Sequence, residues 1–149
     1  MKKLFILAAT VGIFGCSTLV LQPADFSWPV ESILTSDAKG IVSESRFAVS
    51  FSIADLMAAE HGENAAAAGK TVRVIRDRKG FYFVTAPTFK NVYVFTTGDG
   101  ELKQFRKIEI GETEMSDPKF NQRDSYIELL NGSSVMMLTK DGISEGDKK

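Results

Sequence analysis

Apolar and polar positions alternate along this chain more often than they recur at helical spacing. Alternation marks a strand with one buried face, because successive side chains of an extended backbone point to opposite sides. The cleanest run is Phe47, Val49, Phe51 and Ile53, interleaved with Ala48, Ser50 and Ser52. Thr71 to Arg76 continues the theme, with Val72 and Val74 on one side. Asp77-Arg78-Lys79-Gly80 then reads as a short hairpin loop into a strand from Phe81 to Ala86, which Pro87 ends.

Two segments are apolar on both faces: Phe81-Tyr82-Phe83-Val84, and Val92-Tyr93-Val94-Phe95 within Asn91 to Thr97. Strands of this kind lie in the middle of a sandwich or line a barrel, so they nominate the core. Gly98-Asp99-Gly100 supplies positive-φ positions for a reversal into Glu101 to Ile110. Asn131-Gly132 does the same between Tyr126–Leu130 and Ser133–Thr139. With Trp28 to Leu34 and Ile41 to Ile53 added, the pattern predicts about eight strands in a mostly meander order. The expected fold is therefore mostly all-β, an antiparallel sandwich or a small barrel. Ala54 to Gly69 is the exception: alanines dominate, and Leu56, Met57 and Ala58 favour a short helix that Gly62 should stop.

Composition narrows the picture. The chain has 149 residues, a formal net charge of −1 and one cysteine, Cys16. This is the size of one domain able to bury its own core, and with no cysteine pair the stability must come from packing and hydrogen bonds. At the N-terminus, Met1-Lys2-Lys3 is a basic stretch, Leu4 to Phe14 an apolar one, and Gly15 the small residue a signal peptidase needs.

The stretch Ile13-Phe14-Gly15-Cys16 resembles the lipobox of bacterial lipoproteins, with Phe14 where that family usually carries a smaller residue. The resemblance covers the first sixteen residues only. It implies a diacylglyceryl thioether on Cys16, cleavage before it and a further acyl chain after it, which exceeds the two signals that stable anchoring takes. By the sorting known for enterobacterial-type lipoproteins, Ser17 after the lipidated position implies the outer membrane, facing the periplasm. The organisation then expected is a signal peptide over 1–15, a tether over 16–27, one β-rich domain over 28–143 and a polar tail over 144–149. An uncleaved membrane helix, an ordinary secretory signal and a buried apolar helix are the rival readings of the same run. Gly12 and Gly15 inside it count against the first.

Catalytic signals are mostly missing: there is no Gly-rich loop before a helix, no paired-histidine zinc spacing and no Gly-x-Ser-x-Gly turn. His61, the only histidine, stands in Glu60-His61-Gly62-Glu63, where a solvated loop residue is the plainer reading beside metal ligand or general base. Asp99, Glu101, Glu109 and Glu112 are available as a glycosidase-like carboxylate pair, but no environment singles one out.

Charge is uneven. Lys70 to Lys107 holds nine Lys or Arg against three acids, whereas Ser17 to Glu63 has two against seven and Ile108 to Lys149 five against nine. Arg73, Arg76, Arg78 and Lys79 crowd one hairpin, and Lys103, Arg106 and Lys107 follow on a strand that pairs nearby in a meander. Together they form a candidate partner-binding basic patch for an acidic surface. The plainer reading is a solvent face whose charges blunt an edge strand. Nucleic acid does not suit an exported, slightly acidic chain. Eleven Phe, three Tyr and one Trp fit core packing, or else the lining of a lipid-carrying barrel.

The expectation is a non-enzymatic, membrane-anchored lipoprotein without cofactor or metal, which binds an envelope protein or acidic surface as an assembly or accessory factor. A small barrel holding an apolar ligand and an envelope glycan hydrolase are the alternatives.

Overall fold

The computed structural model describes residues 31–99 and 101–144. The central sheet has five strands in the order β1 (Ser32–Thr35), β4 (Thr71–Arg76), β5 (Tyr82–Thr85), β6 (Asn91–Gly98) and β7 (Glu101–Glu109). Between β1 and β4 the chain makes a separate hairpin, β2 (Ile41–Glu44) with β3 (Val49–Ser52), and one helix, α1 (Ala54–His61). A second sheet, in the order β11-β10-β9-β8, is built from β8 (Pro118–Gln122), β9 (Ile127–Asn131), β10 (Ser134–Thr139) and β11 (Gly142–Ser144). All pairings are antiparallel. Among the described residues neither large sheet closes on itself or pairs with the other, so the fold is sandwich-like and not a closed barrel.

Residues opposite one another in an antiparallel pair share a face, which assigns the layers. Val74, Val84 and Tyr93 lie on one face with Tyr82 and Phe95. That face is covered by the β2–β3 hairpin and α1: Phe47 packs edge-on against Tyr82 at 5.8 Å, and Phe51 lies 6.0 Å from Phe95. Ile75, Phe83 and Val94 lie on the other face, against the second sheet's inner row of Phe120, Ile127, Leu129 and Leu138. The central strands are therefore buried on both sides, as their unbroken apolar runs require.

Several expectations are corrected. The described residues hold eleven strands, not about eight. Phe47 to Ile53 is not a single strand: Ala48 takes φ +51, and the chain folds into the β2–β3 hairpin with Phe47 in its turn. β8 was not expected; it is an edge strand, where Pro118 costs no ladder bond. Trp28 lies outside the described residues, so the first strand is seen from Ser32. In the β6–β7 turn it is Asp99 that takes positive φ, +54, and Gly100 is not described. Gly132 at φ +59 makes the β9–β10 reversal.

The Ala-rich segment is ordered by three anchors. Leu56 and Met57 are buried, and Gly62, at φ +96, ends α1 with its N–H on the Ala58 carbonyl. Glu60 accepts from the Lys90 backbone N–H, Asn91 Nδ2 and the Tyr93 hydroxyl, each at 2.8 Å, tying the helix to the sheet. Beyond α1, Ser36 Oγ donates to the Ala67 carbonyl at 2.5 Å and accepts from the Lys70 N–H. An eight-residue helix is marginal alone, so these contacts hold it.

Candidate functional site

With the central sheet set so that the chain leads into β1 at the top, four tight turns stand at the upper end: β4–β5, β6–β7, β8–β9 and β10–β11. The register fixes the first two, since Ser32 pairs with Val74 near the end of β4, and a shared cleft lining sets the last two beside Asp77–Lys79. Glu31 is held there, accepting from the Phe120 N–H at 2.9 Å and from Arg73 Nη1 at 2.8 Å.

A cleft of about 160 Å³ opens between three of these turns. Its walls carry Arg78 and Lys79 from β4–β5, Arg123 and Asp124 from β8–β9, and Lys140 and Asp141 from β10–β11. Asp77 shapes the first wall: its Oδ1 accepts the N–H groups of Lys79 and Phe81, at 2.9 and 2.8 Å, and Gly80 completes the turn at φ +94. Arg78 and Lys79 are thereby held outward. Arg78 donates to Asp124 at 2.5 Å, and Arg123 to Glu128 at 2.9 Å. Asp141 is held below the usual carboxylate range, first by the hydrogen bond from Lys140 and further by the charges of Arg106 and Lys79. Three cations thus act on one carboxylate, while Asp77 and Asp124 on the same walls leave the lining with four bases against three acids, a nearly balanced rim.

Beside the cleft, β7 carries one extra residue, Phe105, opposite the Val94–Phe95 step of β6. The bulge turns Phe105 against Phe81 at 5.1 Å and leaves it 45% exposed, with Lys140 Nζ 5.4 Å from its ring centre. Deeper in the cleft, the Gln122 side-chain oxygen is buried with no hydrogen-bond partner.

Of the seven basic residues read as one patch, the fold brings Arg78, Lys79 and Arg106 together and disperses the rest. Arg73 is a clamp between the sheets, with its side chain 14% exposed and bonded to Glu31 and Asp117. Arg76 lies on the opposite face of the central sheet, its guanidinium 5.4 Å from the Phe47 ring and 5.6 Å from Tyr82, with Nε buried and unpartnered. Lys103 stays on the β6–β7 hairpin, paired with Asp99 at 2.6 Å. Lys107 pairs with Tyr93 in the ladder, on the helix side, and reaches Glu109 at 3.6 Å. Sequence reasoning missed Arg123 and Lys140, because nothing local says that β8–β9 and β10–β11 turn beside β4–β5.

The other candidates lie elsewhere in the fold. His61 Nε2 is 3.2 Å from Thr88 Oγ1, and its ring stacks edge-on against Phe89. Asp99, Glu101, Glu109 and Glu112 are exposed, with Asp99 and Glu109 in ion pairs. Among the described residues no three His, Cys, Asp or Glu side chains are grouped to hold a metal ion, and no helix is long and apolar enough to cross a membrane. Cys16 lies outside the described residues.

Comparison with protein-family models, curated proteins and solved structures finds no match to this chain. The functional reading therefore rests on its own residues and geometry.

Proposed function

We propose that the chain is an envelope lipoprotein, anchored through Cys16 and facing the periplasm, whose β-domain acts by binding and not by catalysis. The observation that carries this is the N-terminal sequence: two lysines, a nearly unbroken apolar run and then Ile13-Phe14-Gly15-Cys16. The interior supports a binding surface over a ligand-carrying lumen. Phe83, Phe89 and Tyr93 are fully packed in the core, and the sheets do not close on themselves. The five residues Arg78, Lys79, Arg106, Arg123 and Lys140 offer that surface its charge.

Cys16→Ser tests the anchor. Fatty-acid labelling and membrane partition should both be lost, with the unprocessed precursor accumulating. Normal partition of a mature chain with an unmodified N-terminus would overturn the reading. Crosslinking in native membranes followed by mass spectrometry then reads the partner, and a single envelope protein recovered in near-equal amount supports an accessory subunit.

A further inference from the structure

Strand edges are where a β fold can add another chain, and most edges of this one are guarded. β7 carries the Phe105 bulge with Lys103 and Lys107, β8 carries Pro118 and Lys119, and β11 has only three residues. β1 and β2 lie against each other, with Ser32 Oγ donating to Glu44. β3 differs: Val49-Ser50-Phe51-Ser52 has no charge, proline or bulge, and among the described residues it pairs with β2 alone.

The register shows which backbone groups are left over. Ile53 N–H donates to the carbonyl of Gly40, which stands opposite it, so by alternation Phe51 and Val49 also turn their N–H and C=O toward β2. Ser50 and Ser52 therefore point theirs outward, with no backbone partner among the described residues. This edge opens on a groove of about 510 Å³ whose other wall is the β6–β7 hairpin, at Thr97, Glu101 and Leu102. Phe47, Phe51 and Tyr82 give the groove its apolar surface.

Backbone donors and acceptors along one wall select an occupant with a backbone of its own to offer. A groove of this size, within the roughly 300–1,000 Å³ of ligand pockets, admits a few residues of one extended chain and not the edge of a folded sheet. Glu101 is exposed and forms no ion pair among the described residues, so it suits a segment that brings a cation to that wall.

We propose that this groove takes an extended segment of a partner protein, which adds to β3 as a third strand. Ser50 and Ser52 bond its backbone, its alternate apolar side chains meet Phe47, Tyr82 and Leu102, and a Lys or Arg on it reaches Glu101. The inference rests on the reading of the β-domain as a binding module and not on the Cys16 anchor.

To test it, a photoreactive phenylalanine analogue takes the place of Ser50, of Ser52 or, on the guarded β8 edge, of Lys119 in the full chain. Crosslinks formed in native membranes are mapped to single residues by mass spectrometry. The expected result is that positions 50 and 52 capture one partner at two residues that are themselves two apart, as paired strands require, and that position 119 captures none. A fluorescent peptide of the mapped sequence is then titrated against the full chain in detergent micelles. Ser50→Pro removes the outward N–H at an edge that tolerates proline and should weaken binding about tenfold, whereas Ser50→Ala keeps the N–H and should not. Glu101→Lys, at an exposed position, should weaken binding several-fold at low salt and little at high salt.

Crosslinks without that spacing, or equal binding by the proline variant, would overturn strand addition. So would capture of a second copy or of residues 17–30 of the same chain, which would make the groove a self-contact. Capture from position 119 alone would overturn the groove and leave the binding reading standing. Recovery of no partner from any position would overturn both.

Discussion

Two turns at opposite ends of the molecule share one design and differ in what surrounds them. Asp37-Ala38-Lys39-Gly40 and Asp77-Arg78-Lys79-Gly80 each close with the aspartate Oδ1 accepting two backbone N–H groups, from Lys39 and Ile41 in the first and from Lys79 and Phe81 in the second. In each the glycine N–H returns to the aspartate carbonyl, and the glycine takes positive φ, +78 and +94. Their surroundings diverge. A Cβ on Gly40 would meet Ala67 Cβ at 2.7 Å, while one on Gly80 would meet only the end of the Arg76 side chain, at 3.3 Å. One turn is a packing element closed over by the segment after α1, and the other is a platform that presents charge. Local sequence sets the turn; what packs on it sets its role.

Breaking both turns at the glycine should separate them most. Gly40→Ala combines left-handed strain with a clash against a backbone-bound methyl, and should cost about 3 kcal/mol. Gly80→Ala meets similar strain but a movable neighbour, and should cost about 1 kcal/mol. Urea denaturation of the full chain reads the difference, and equal losses would refute the contrast. Replacing the aspartates should erase it. Asp37→Ala and Asp77→Ala each remove an acceptor of two backbone N–H groups and should each cost about 1–2 kcal/mol.

The comparison also shows what was legible in the sequence. The second turn could be read because an unbroken apolar strand follows it, and the same logic located β4 to β7, β9 and β10. The β2–β3 turn could not, because Arg46-Phe47-Ala48 carries no glycine, proline or asparagine and Phe47 prolongs the alternation. β8 was hidden by its brevity and by Pro118, which reads as a strand breaker until the strand is known to lie at an edge. The basic surface was legible in part: Arg78, Lys79 and Arg106 were named, but Arg123 and Lys140 reach them through the stacking of two sheets, which no local pattern encodes.

The acids beyond the two turns sharpen the contrast through pH. β2, which the first turn starts, carries Glu44 into the interior, where it is 4% exposed and bonded to Ser32 and Arg46. Burial pushes its carboxyl up, but hydrogen bonds from the Arg46 side chain and N–H, with the charge of Arg46, leave it below the ordinary value of 4.5. A depressed carboxylate contributes stability that is present above the unfolded value and lost as pH falls through the folded one. Stability should therefore fall as pH drops below 4.5, and Glu44→Gln should flatten that limb while lowering stability at neutral pH by about 1–2 kcal/mol. Asp141, beside the second turn, is also depressed but lies in solvent, so Asp141→Asn should leave the limb as it is.

The smallest effect is the most discriminating. Arg78 is 59% exposed and its partner Asp124 is 91% exposed, so their ion pair contributes little to folding in spite of its 2.5 Å length. Arg78→Ala and Lys79→Ala should each shift unfolding by less than about 0.5 kcal/mol. Arg73→Ala should cost several times more, roughly 2–3 kcal/mol, because it leaves Glu31 half-buried without the guanidinium that ties it between the sheets. These arginines belong to one hairpin and carry the same charge, yet one ties the sheets together and the other stands in solvent on an exposed ion pair. A stability loss at Arg78 matching that at Arg73 would make the upper turn a structural element like the lower one and remove the ground for reading it as a binding surface.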